Sequence, residues 1–538
     1  MEAIFKLSEQ QQAVLDFSDN SNGSLILVAR AGCGKSSTLL ALVRHLVANS
    51  PRATVFIGAY NRPIADEFGA KMKASLGAEL TEWKQVNGKW VGPRADCSTW
   101  HSCGRSAWRK VTGWTPEETD KRTDDKKVEK ILDEFATTPA MQERVAPYRE
   151  MILKAVSLAK QRALGVVASI DDRAKWFDII DHFGLDEDLP EDADMDYAVK
   201  CCIWLYKQSL QRCRQVIDFD DMILAPLYFK ARFWQYDWVM IDEAQDTNAA
   251  RRCLALAILK PGGRLVAVGD PAQAIYGFTG ADADSLELIK RAVNAVELPL
   301  NVTYRCPKTV VARAQRWVKD IQAHESAPDG VQRVTYLTPR DGRPVLFDET
   351  FTADDAVLCR NTKPLVELAY TFLRKGIACQ VEGRDIANGL TALCLKWKVV
   401  NNDALVNKLT EWREKEVQKW MAKGKEGKAE EVADRCETVI MLANQLTAEG
   451  KRTVAELVEF IRGMFGDTKP GEKPKVLTLA TAHKSKGREW KRVFILGQAK
   501  YMPSKWARKE WQMEQEINLM YVATTRAMSE IIDVVVEG

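Results

Sequence analysis

Short runs of apolar residues recur along the chain, and each run is bounded by small or polar residues. Runs of this length predict buried strands, and the helical periodicity between several of them predicts parallel sheets with right-handed crossovers. We therefore predict an α/β fold class. The candidate strands are Leu25–Ala29, Thr54–Gly58, Trp238–Asp242, Leu265–Gly269, Ala356–Arg360, Val476–Leu479 and Val493–Leu496.

Two long stretches, residues 105–215 and 386–474, interrupt this alternation with charged, helical patterns. We interpret them as mainly helical insertions into two α/β domains. The first domain would comprise residues 1–104 and 216–289, and the second 290–385 and 475–538. The clearest helical segments are Lys126–Phe135, Met151–Leu164, Leu405–Met421 and Glu430–Leu446.

Composition narrows the class of protein. The chain has 538 residues, of which 46% are hydrophobic, and a net charge of +3, so any nucleic acid must contact a local groove rather than a uniformly basic surface. The 12 cysteines include no C-x-x-C pair, which favours reduced thiols over a zinc site. The first residues do not resemble a signal peptide, and no apolar run approaches the ~20 residues that span a bilayer. We expect a cytoplasmic protein of a bacterial or phage-infected cell, with no membrane partner.

The strongest local signal follows the strand Leu25–Ala29, where small residues precede a helical pattern. Such a loop leaves backbone N–H groups free to bind phosphate oxygens; Lys35 could reach the β and γ phosphates, and the Ser36 hydroxyl could hold Mg²⁺. For this segment alone, a glycine-rich turn without a ligand is the alternative. The predicted nucleotide-binding residues of the loop are Ala31, Gly32, Cys33, Gly34, Lys35, Ser36 and Ser37.

A second signal is the segment WVMIDEAQD, in which an apolar strand ends in two carboxylates. Asp242 at the strand end could hold Mg²⁺, and Glu243 could polarise the attacking water. An ordinary acidic turn is the alternative for this segment alone. Together with the phosphate loop, it predicts ATP hydrolysis with ATP and Mg²⁺ as cofactors.

Further segments follow in an order that resembles the UvrD/Rep-type superfamily 1 DNA helicases. They are LSEQQQAV, AYNRPIADEF, STWHSCG, VGDPAQAIYGFTGA, LNVTYRCP, VLCRN, TAHKSKGREW and INLMYVATTRA, spread from Leu7 to Ala527. The resemblance implies two RecA-like P-loop motor domains with parallel sheets, each carrying a mainly helical insertion.

The resemblance also implies nucleotide contacts outside the phosphate loop. Gln11 would pair with adenine, Tyr304 would stack on the base, and Glu489 would bind the ribose. Gln273 would contact the γ-phosphate. Two arginine fingers would come from the second domain, so that catalysis requires the cleft to close; these are Arg305 and Arg526.

The resemblance further implies that the protein binds single-stranded DNA and that Phe278 stacks on a base. Tyr276 either stacks on a base or belongs to the protein core, and the sequence favours neither. Further implied contacts with the strand are Asn61, His101, Arg360 and His483.

Three positions depart from the family pattern. Ser37 stands where an arginine often covers adenine, which would loosen selectivity for the base. Thr279 replaces an expected arginine between the ATP and DNA sites. Arg488 replaces an apolar residue.

The predicted function is an ATP-dependent helicase that moves 3′ to 5′ on single-stranded DNA and unwinds forked duplex. The alternative is a translocase or DNA sensor with little unwinding, working with a separate nuclease or a replication or repair factor. Because the chain ends at Gly538 soon after the last motif, we expect no nuclease domain to follow. The second insertion is short, so we expect the monomer to unwind DNA without release by a partner. Its lysines either contact duplex phosphates or form a solvated helix face, the second being favoured; they are Lys415, Lys419, Lys423, Lys425 and Lys428.

Overall fold

The computed structural model describes residues 7–86, 89–187, 189–190, 192–277, 280, 282, 284–338, 344–422, 426–466, 475–504, 507 and 509–537. Its contacts divide the chain into two compact units, Met1–Asn301 and Val302–Gly538. Each unit has a parallel sheet with helices connecting its strands, so the predicted α/β fold class is confirmed. Among the described residues, no helix has the length and apolar character needed to cross a bilayer.

The first unit contains a six-stranded sheet in the order β5-β2-β6-β7-β1-β8, in which every pairing is parallel. A small antiparallel hairpin, β3–β4, precedes β5. The central strands are apolar along their whole length because helices cover both faces of a parallel sheet. The strands are β1 Leu25–Ala29, β2 Val55–Ala59, β3 Lys84–Val86, β4 Lys89–Val91, β5 Ala95–Thr99, β6 Tyr236–Ile241, β7 Leu259–Gly269 and β8 Val296–Leu300.

Two hydrophobic clusters hold the first unit together. One joins the sheet to the helices between β5 and β6, and the other packs the first three helices on the opposite side of the strands. The helices are α1 Glu9–Asn20, α2 Lys35–Asn49, α3 Arg62–Leu76, α4 Ala78–Thr81, α5 Trp100–Thr112, α6 Pro116–Lys121, α7 Lys127–Phe135, α8 Pro139–Val145, α9 Arg149–Gln161, α10 Arg173–Phe183, α11 Met195–Gln211, α12 Asp221–Tyr228, α13 Ala249–Ala257 and α14 Ser285–Val293.

The second unit contains a seven-stranded parallel sheet in the order β11-β17-β16-β12-β15-β13-β14, and a separate parallel pair β9–β10. Its strands are β9 Val302–Thr303, β10 Gln322–Ala323, β11 Val331–Tyr336, β12 Asp355–Cys359, β13 Cys379–Glu382, β14 Phe465–Gly466, β15 Leu477–Thr481, β16 Trp490–Leu496 and β17 Ala527–Val535. Its helices are α15 Lys308–Ala314, α16 Thr362–Arg374, α17 Arg384–Leu395, α18 Asn402–Ala422, α19 Glu426–Ala448, α20 Val454–Met464, α21 Gln498–Tyr501 and α22 Glu510–Thr524.

The predicted domain boundary at residue 290 differs from the division of the structure. Strand β8 pairs with β1 from Leu25↔Val296 to Ala29↔Leu300, so residues 290–301 belong to the first unit. In the second unit, helices α18 and α19 share one hydrophobic cluster with the sheet, through residues such as Leu405 and Val357. Helices α18 and α19 are therefore packed into the second unit rather than forming a core of their own.

Candidate nucleotide and DNA site

The phosphate loop joins the end of β1 to the start of α2. Gly32 and Gly34 have φ values of +72° and +83°, in the left-handed region that favours glycine. A Cβ at Gly34 would also lie only 3.0 Å from Nε2 of Gln11. These glycines allow the tight turn that brings the chain to the amino terminus of the 15-residue helix α2, where backbone N–H groups favour anions.

Lys35, the first residue of α2, forms an ion pair with Glu243. Its Nζ lies 2.9 Å from Oε1 and 3.0 Å from Oε2 of Glu243. Burial lowers the pKa of Lys35, but Glu243, followed by two neighbouring aspartates, raises it, so the pKa stays above its usual value. The lysine predicted to contact phosphate and the carboxylate predicted to polarise water are therefore in direct contact.

The two carboxylates after β6 have different environments. Asp242 is buried, and burial, followed by the charge of Glu243, raises its pKa above the usual value. Glu243 has a φ of +49°, which is uncommon for a residue other than glycine and marks local backbone strain at the position of the predicted general base. Ser36 is exposed at the start of α2. Its hydroxyl and the Asp242 carboxylate supply the oxygen ligands that Mg²⁺ prefers, so these residues fit a Mg²⁺–nucleotide complex.

A hydrogen-bonded network extends from Glu243 to the segment after β7. The Gln245 side chain donates to Glu243, and its Oε1 accepts the backbone N–H of Asp270 at 3.1 Å. The carboxylate of Asp270 accepts from Gln273 at 2.8 Å and from Arg30 at 2.9 Å. The network links Gln273, predicted to contact the γ-phosphate, to Glu243, the predicted general base. Sequence reasoning missed Arg30, Gln245 and Asp270, although each lies within four residues of a strand end.

Gln11, the residue predicted to read adenine, is buried in the first turn of α1. Its Oε1 accepts the backbone N–H of Ser8 at 3.1 Å in a capping box, and its Nε2 donates to Thr38 Oγ1 at 3.1 Å. A primary amide has two N–H donors and two acceptor positions, so one of each remains for a ligand.

We expect Gln11→Ala to raise the KM for ATP about tenfold, because a paired amide contact is worth roughly 1–3 kcal/mol. The change also removes the capping box, so Ser8→Ala is the matched control: it loses the same cap and keeps the amide. KM should be measured for ATP and for a second nucleoside triphosphate. An equal rise in KM in both variants would assign Gln11 to the helix cap alone.

In the second unit, Arg305 and Glu489 form a salt bridge, with Nε of Arg305 2.5 Å from Oε2 of Glu489. The adjacent Tyr304 is half exposed, and its ring centroid lies 4.8 Å from that of His324. The structure thus brings together the predicted arginine finger, the predicted ribose ligand and the predicted base-stacking ring. Their roles in nucleotide binding remain predictions.

Arg526, the second predicted arginine finger, is almost fully buried. Its Nε donates to the carbonyl of Val522 at 2.9 Å, and its Nη1 donates to the carbonyl of Arg488 at 3.2 Å. Arg488 in turn forms a 2.6 Å ion pair with the buried Glu382. The arginine that departs from the family pattern is therefore neutralised within the second unit, in the turn that precedes Glu489.

In the first unit, two aromatic stacks lie close to the carboxyl ends of β2 and β5. His101 stacks on Phe219 with ring centroids 3.9 Å apart, and Tyr276 stacks on Tyr60 at 5.9 Å. Burial, followed by the charge of Arg251, lowers the pKa of His101 to about 3, so the imidazole is neutral at physiological pH.

The position of His101 depends on a close contact one residue earlier. A Cβ at Gly58 would lie 1.9 Å from the ring of Trp100, so only glycine in β2 lets this indole pack against the strand. Phe219, which acidic residues flank in sequence, is 52% exposed. Sequence reasoning did not select it. The signal was a large ring within the polar segment DFDD.

Phe219 is held by a cluster of buried charges. Lys127 of α7 contacts Asp221 at 2.6 Å, and Lys160 of α9 contacts Asp221 at 2.8 Å and also pairs with Asp218. Because both lysines and Asp221 are almost completely buried, the cluster fixes the segment before α12 against two helices of the first insertion.

Three other predicted DNA contacts interact with neighbouring groups of the protein itself. Arg360 forms a two-pronged ion pair with Glu516 at 2.7–3.0 Å. Burial, followed by the charge of Arg360, lowers the pKa of His483 to about 4. Asn61 caps α3 by accepting the backbone N–H of Ile64 at 3.0 Å. Phe278 and Thr279 lie outside the described residues.

Comparison with known proteins places this site in a family. The family profile described as "UvrD/REP helicase N-terminal domain" matches residues 7–294, and that described as "UvrD-like helicase C-terminal domain" matches residues 394–535. Among curated relatives, the chain is 28% identical over 179 residues to a "Probable DNA helicase II homolog" of Mycoplasma capricolum, covering 31% of this chain and 24% of that protein.

Two staphylococcal relatives are named "ATP-dependent DNA helicase PcrA". Identity is 25% over 416 residues to that of Staphylococcus epidermidis, covering 70% of this chain and 50% of the relative. It is 29% over 159 residues to that of Staphylococcus aureus, covering 28% and 21%. The chain thus spans half or less of the length of these relatives. Because the N-terminal profile alone matches more than half of the chain, and the C-terminal profile matches the second unit, the chain belongs to the UvrD/REP helicase family.

Proposed function

We propose that this protein is a DNA-dependent ATPase that moves 3′ to 5′ on single-stranded DNA and unwinds duplex ahead of it. The observation that carries the proposal is the ion pair of Lys35 with Glu243, joined through hydrogen bonds to Gln273. This arrangement offers a phosphate-binding cation, a general base and a polar link to a neighbouring segment in one place. Family membership and the names of the relatives support the same activity.

In this proposal the nucleotide phosphates bind at the amino terminus of α2. Ser36 and Asp242 would hold Mg²⁺, which neutralises charge on the phosphates when bound. Lys35 would exchange its contact with Glu243 for a phosphate oxygen. Glu243 would then accept a proton from the attacking water, and Gln273 would respond to the presence of the γ-phosphate.

Single-stranded DNA would bind along the aromatic residues after β2 and β5. Stacking on an aromatic face accepts any base, which suits an enzyme that moves along DNA of any sequence. The stacked pairs His101–Phe219 and Tyr60–Tyr276 supply such faces. Because the imidazole of His101 is neutral, it would contact DNA by stacking rather than by attracting a phosphate group.

The test uses two forked substrates that differ only in the polarity of the single-stranded tail. We expect single-turnover unwinding of the 3′-tailed substrate and little unwinding of the 5′-tailed one, at protein concentrations where only monomers exist. A monomer should suffice because helices α18 and α19 pack into the second unit's own core rather than forming a free lobe that restrains the motor.

Three other outcomes would change the proposal. ATP hydrolysis and translocation without strand separation would favour the translocase alternative. Preference for the 5′ tail would reverse the polarity. Unwinding that begins only at concentrations where dimers form would refute the monomer prediction while leaving the motor activity intact.

A further inference from the structure

Two segments of the first unit carry exposed tryptophans and, within a few residues of them in sequence, exposed cations. Trp83 precedes β3, and Trp234 precedes β6; their rings meet edge to face with centroids 5.2 Å apart. These residues remain 41% and 39% exposed. Lys84 follows one tryptophan, and Lys230 and Arg232 lie within four residues of the other. We call these five residues the tryptophan edge.

The tryptophan pair is fixed from its inner side. The Tyr236 hydroxyl donates to Asp96 Oδ2 at 2.7 Å. Burial raises the pKa of Asp96 above its usual value, and hydrogen bonds with Tyr236 and then Trp83 only partly oppose this. A Cβ at Gly92, just after the hairpin, would lie 2.9 Å from the Trp234 ring. The chain at Gly92 therefore passes close to this indole. Large rings held rigidly with their outer sides in solvent are typical of binding surfaces.

The charge at this edge is positive and uncompensated. Lys84, Lys230 and Arg232 are exposed, and none of them forms a salt bridge with the described residues. The acidic side chains of the same segments already have cationic partners. Glu82 pairs with a lysine of α3 at 2.6 Å, and Asp237 pairs with a lysine of β7 at 2.8 Å.

The tryptophan edge is separate from the nucleotide site. In the first unit, the predicted catalytic residues follow the carboxyl ends of β1, β6 and β7, whereas Trp234 lies just before the amino-terminal end of β6 and Trp83 contacts Trp234. A strand of six residues is ~20 Å long. Nucleotide bound at the phosphate loop would therefore not reach this surface.

We propose that the tryptophan edge is a second binding surface for single-stranded DNA. Aromatic faces interleaved with exposed cations bind bases by stacking and phosphates by charge, without reading sequence. A protein partner fits less well, because lysines are depleted in the centres of protein interfaces. The inference rests on the proposed function in taking DNA as the polymer.

The test measures binding to an oligothymidylate of ~30 nucleotides, which is long enough to extend beyond a single site of ~4–16 nucleotides. It compares the wild type with the triple variant Lys84→Glu, Lys230→Glu, Arg232→Glu. We expect affinity to fall about tenfold, and the slope of log affinity against log salt to decrease in magnitude by about two to three, because each phosphate contact adds about one. The substituted side chains are exposed, so the fold should persist. The control triple variant Lys121→Glu, Lys154→Glu, Lys200→Glu makes the same change of net charge on helices α6, α9 and α11.

Photocrosslinking with an oligonucleotide containing 5-iododeoxyuridine gives a second readout. Crosslinks to the peptides containing Trp83 or Trp234 are expected in the wild type, and their loss in the triple variant would support the surface. Equal weakening by the control variant, or crosslinks confined to other peptides, would overturn the tryptophan edge. A wild-type protein that binds no oligonucleotide at all would instead contradict the proposed function.

Discussion

Replacing Glu243 with Gln is expected to lower DNA-stimulated ATP turnover at least about a hundredfold, because a general base contributes roughly 10²–10⁴ in rate. ATP affinity should be retained or increased. Glutamine keeps the shape of the side chain but no longer holds Lys35 in an ion pair, so the lysine is free to bind phosphate. Steady-state turnover and equilibrium binding of a fluorescent nucleotide would measure the two effects separately.

Lys35→Ala is the paired variant, since it removes the other half of the same ion pair. We expect it to lose both turnover and nucleotide affinity, because it removes the phosphate contact rather than the base. Near-normal turnover in Glu243→Gln would show that another group activates the water. Equal loss of affinity in both variants would mean that the ion pair mainly maintains the shape of the phosphate loop.

Arg305→Ala is expected to reduce DNA-stimulated ATPase about a thousandfold or more and to leave the affinity for single-stranded DNA nearly unchanged. An arginine finger stabilises charge on the transferred phosphate and is worth roughly 10³–10⁵ in rate. Arg305 is more suitable for this test than Arg526, because the guanidinium of Arg526 is buried against backbone carbonyls and its removal would also destabilise the second unit.

Glu489→Gln is the matched control for this experiment, because it breaks the Arg305–Glu489 salt bridge from the other side. If Arg305 acts on the nucleotide, its removal should reduce the maximal rate, whereas Glu489→Gln should mainly raise the KM for ATP through the lost ribose contact. Similar, small effects of both variants would identify the pair as a surface ion pair, which is usually worth under about 1 kcal/mol. Loss of DNA affinity in Arg305→Ala with hydrolysis intact would assign the residue to the DNA site.

In the sheet of the first unit, hydrophobic runs predicted the inner strands and missed both edge strands. The strand Leu25–Ala29 has the same bounds in the structure, because it lies inside the sheet and is apolar throughout. Both edge strands of that sheet, Ala95–Thr99 and Val296–Leu300, were absent from the predicted set. An edge strand is partly solvated and tolerates polar residues and proline, so ADCST and VELPL lack the apolar run that marks a central strand. The difference between the predicted boundary at residue 290 and the division of the structure after Asn301 follows from this omission.

At the candidate site, the sequence predicted residues that belong to motifs but not the distant residues that contact them. Lys35 and Glu243 were predicted from the loop and strand that carry them, and they lie in contact. The Glu516 side chain that holds Arg360 is 156 residues away in sequence, and no local pattern relates the two. Long-range pairing of this kind depends on the packing of whole elements, which a periodicity of about 2 or 3.6 residues does not encode.

The buried charges beneath Phe219 limit how this segment can change over evolutionary time. Removing one member of such a cluster leaves an uncompensated buried charge and costs about 3–5 kcal/mol, a large share of the ~5–15 kcal/mol that stabilises a typical domain. Replacing all of the charges with apolar side chains of similar volume is far less costly. The charges of this cluster should therefore be inherited together; they are Lys127, Lys160, Asp218 and Asp221. A lineage that loses one of them is expected to acquire compensating substitutions at the others.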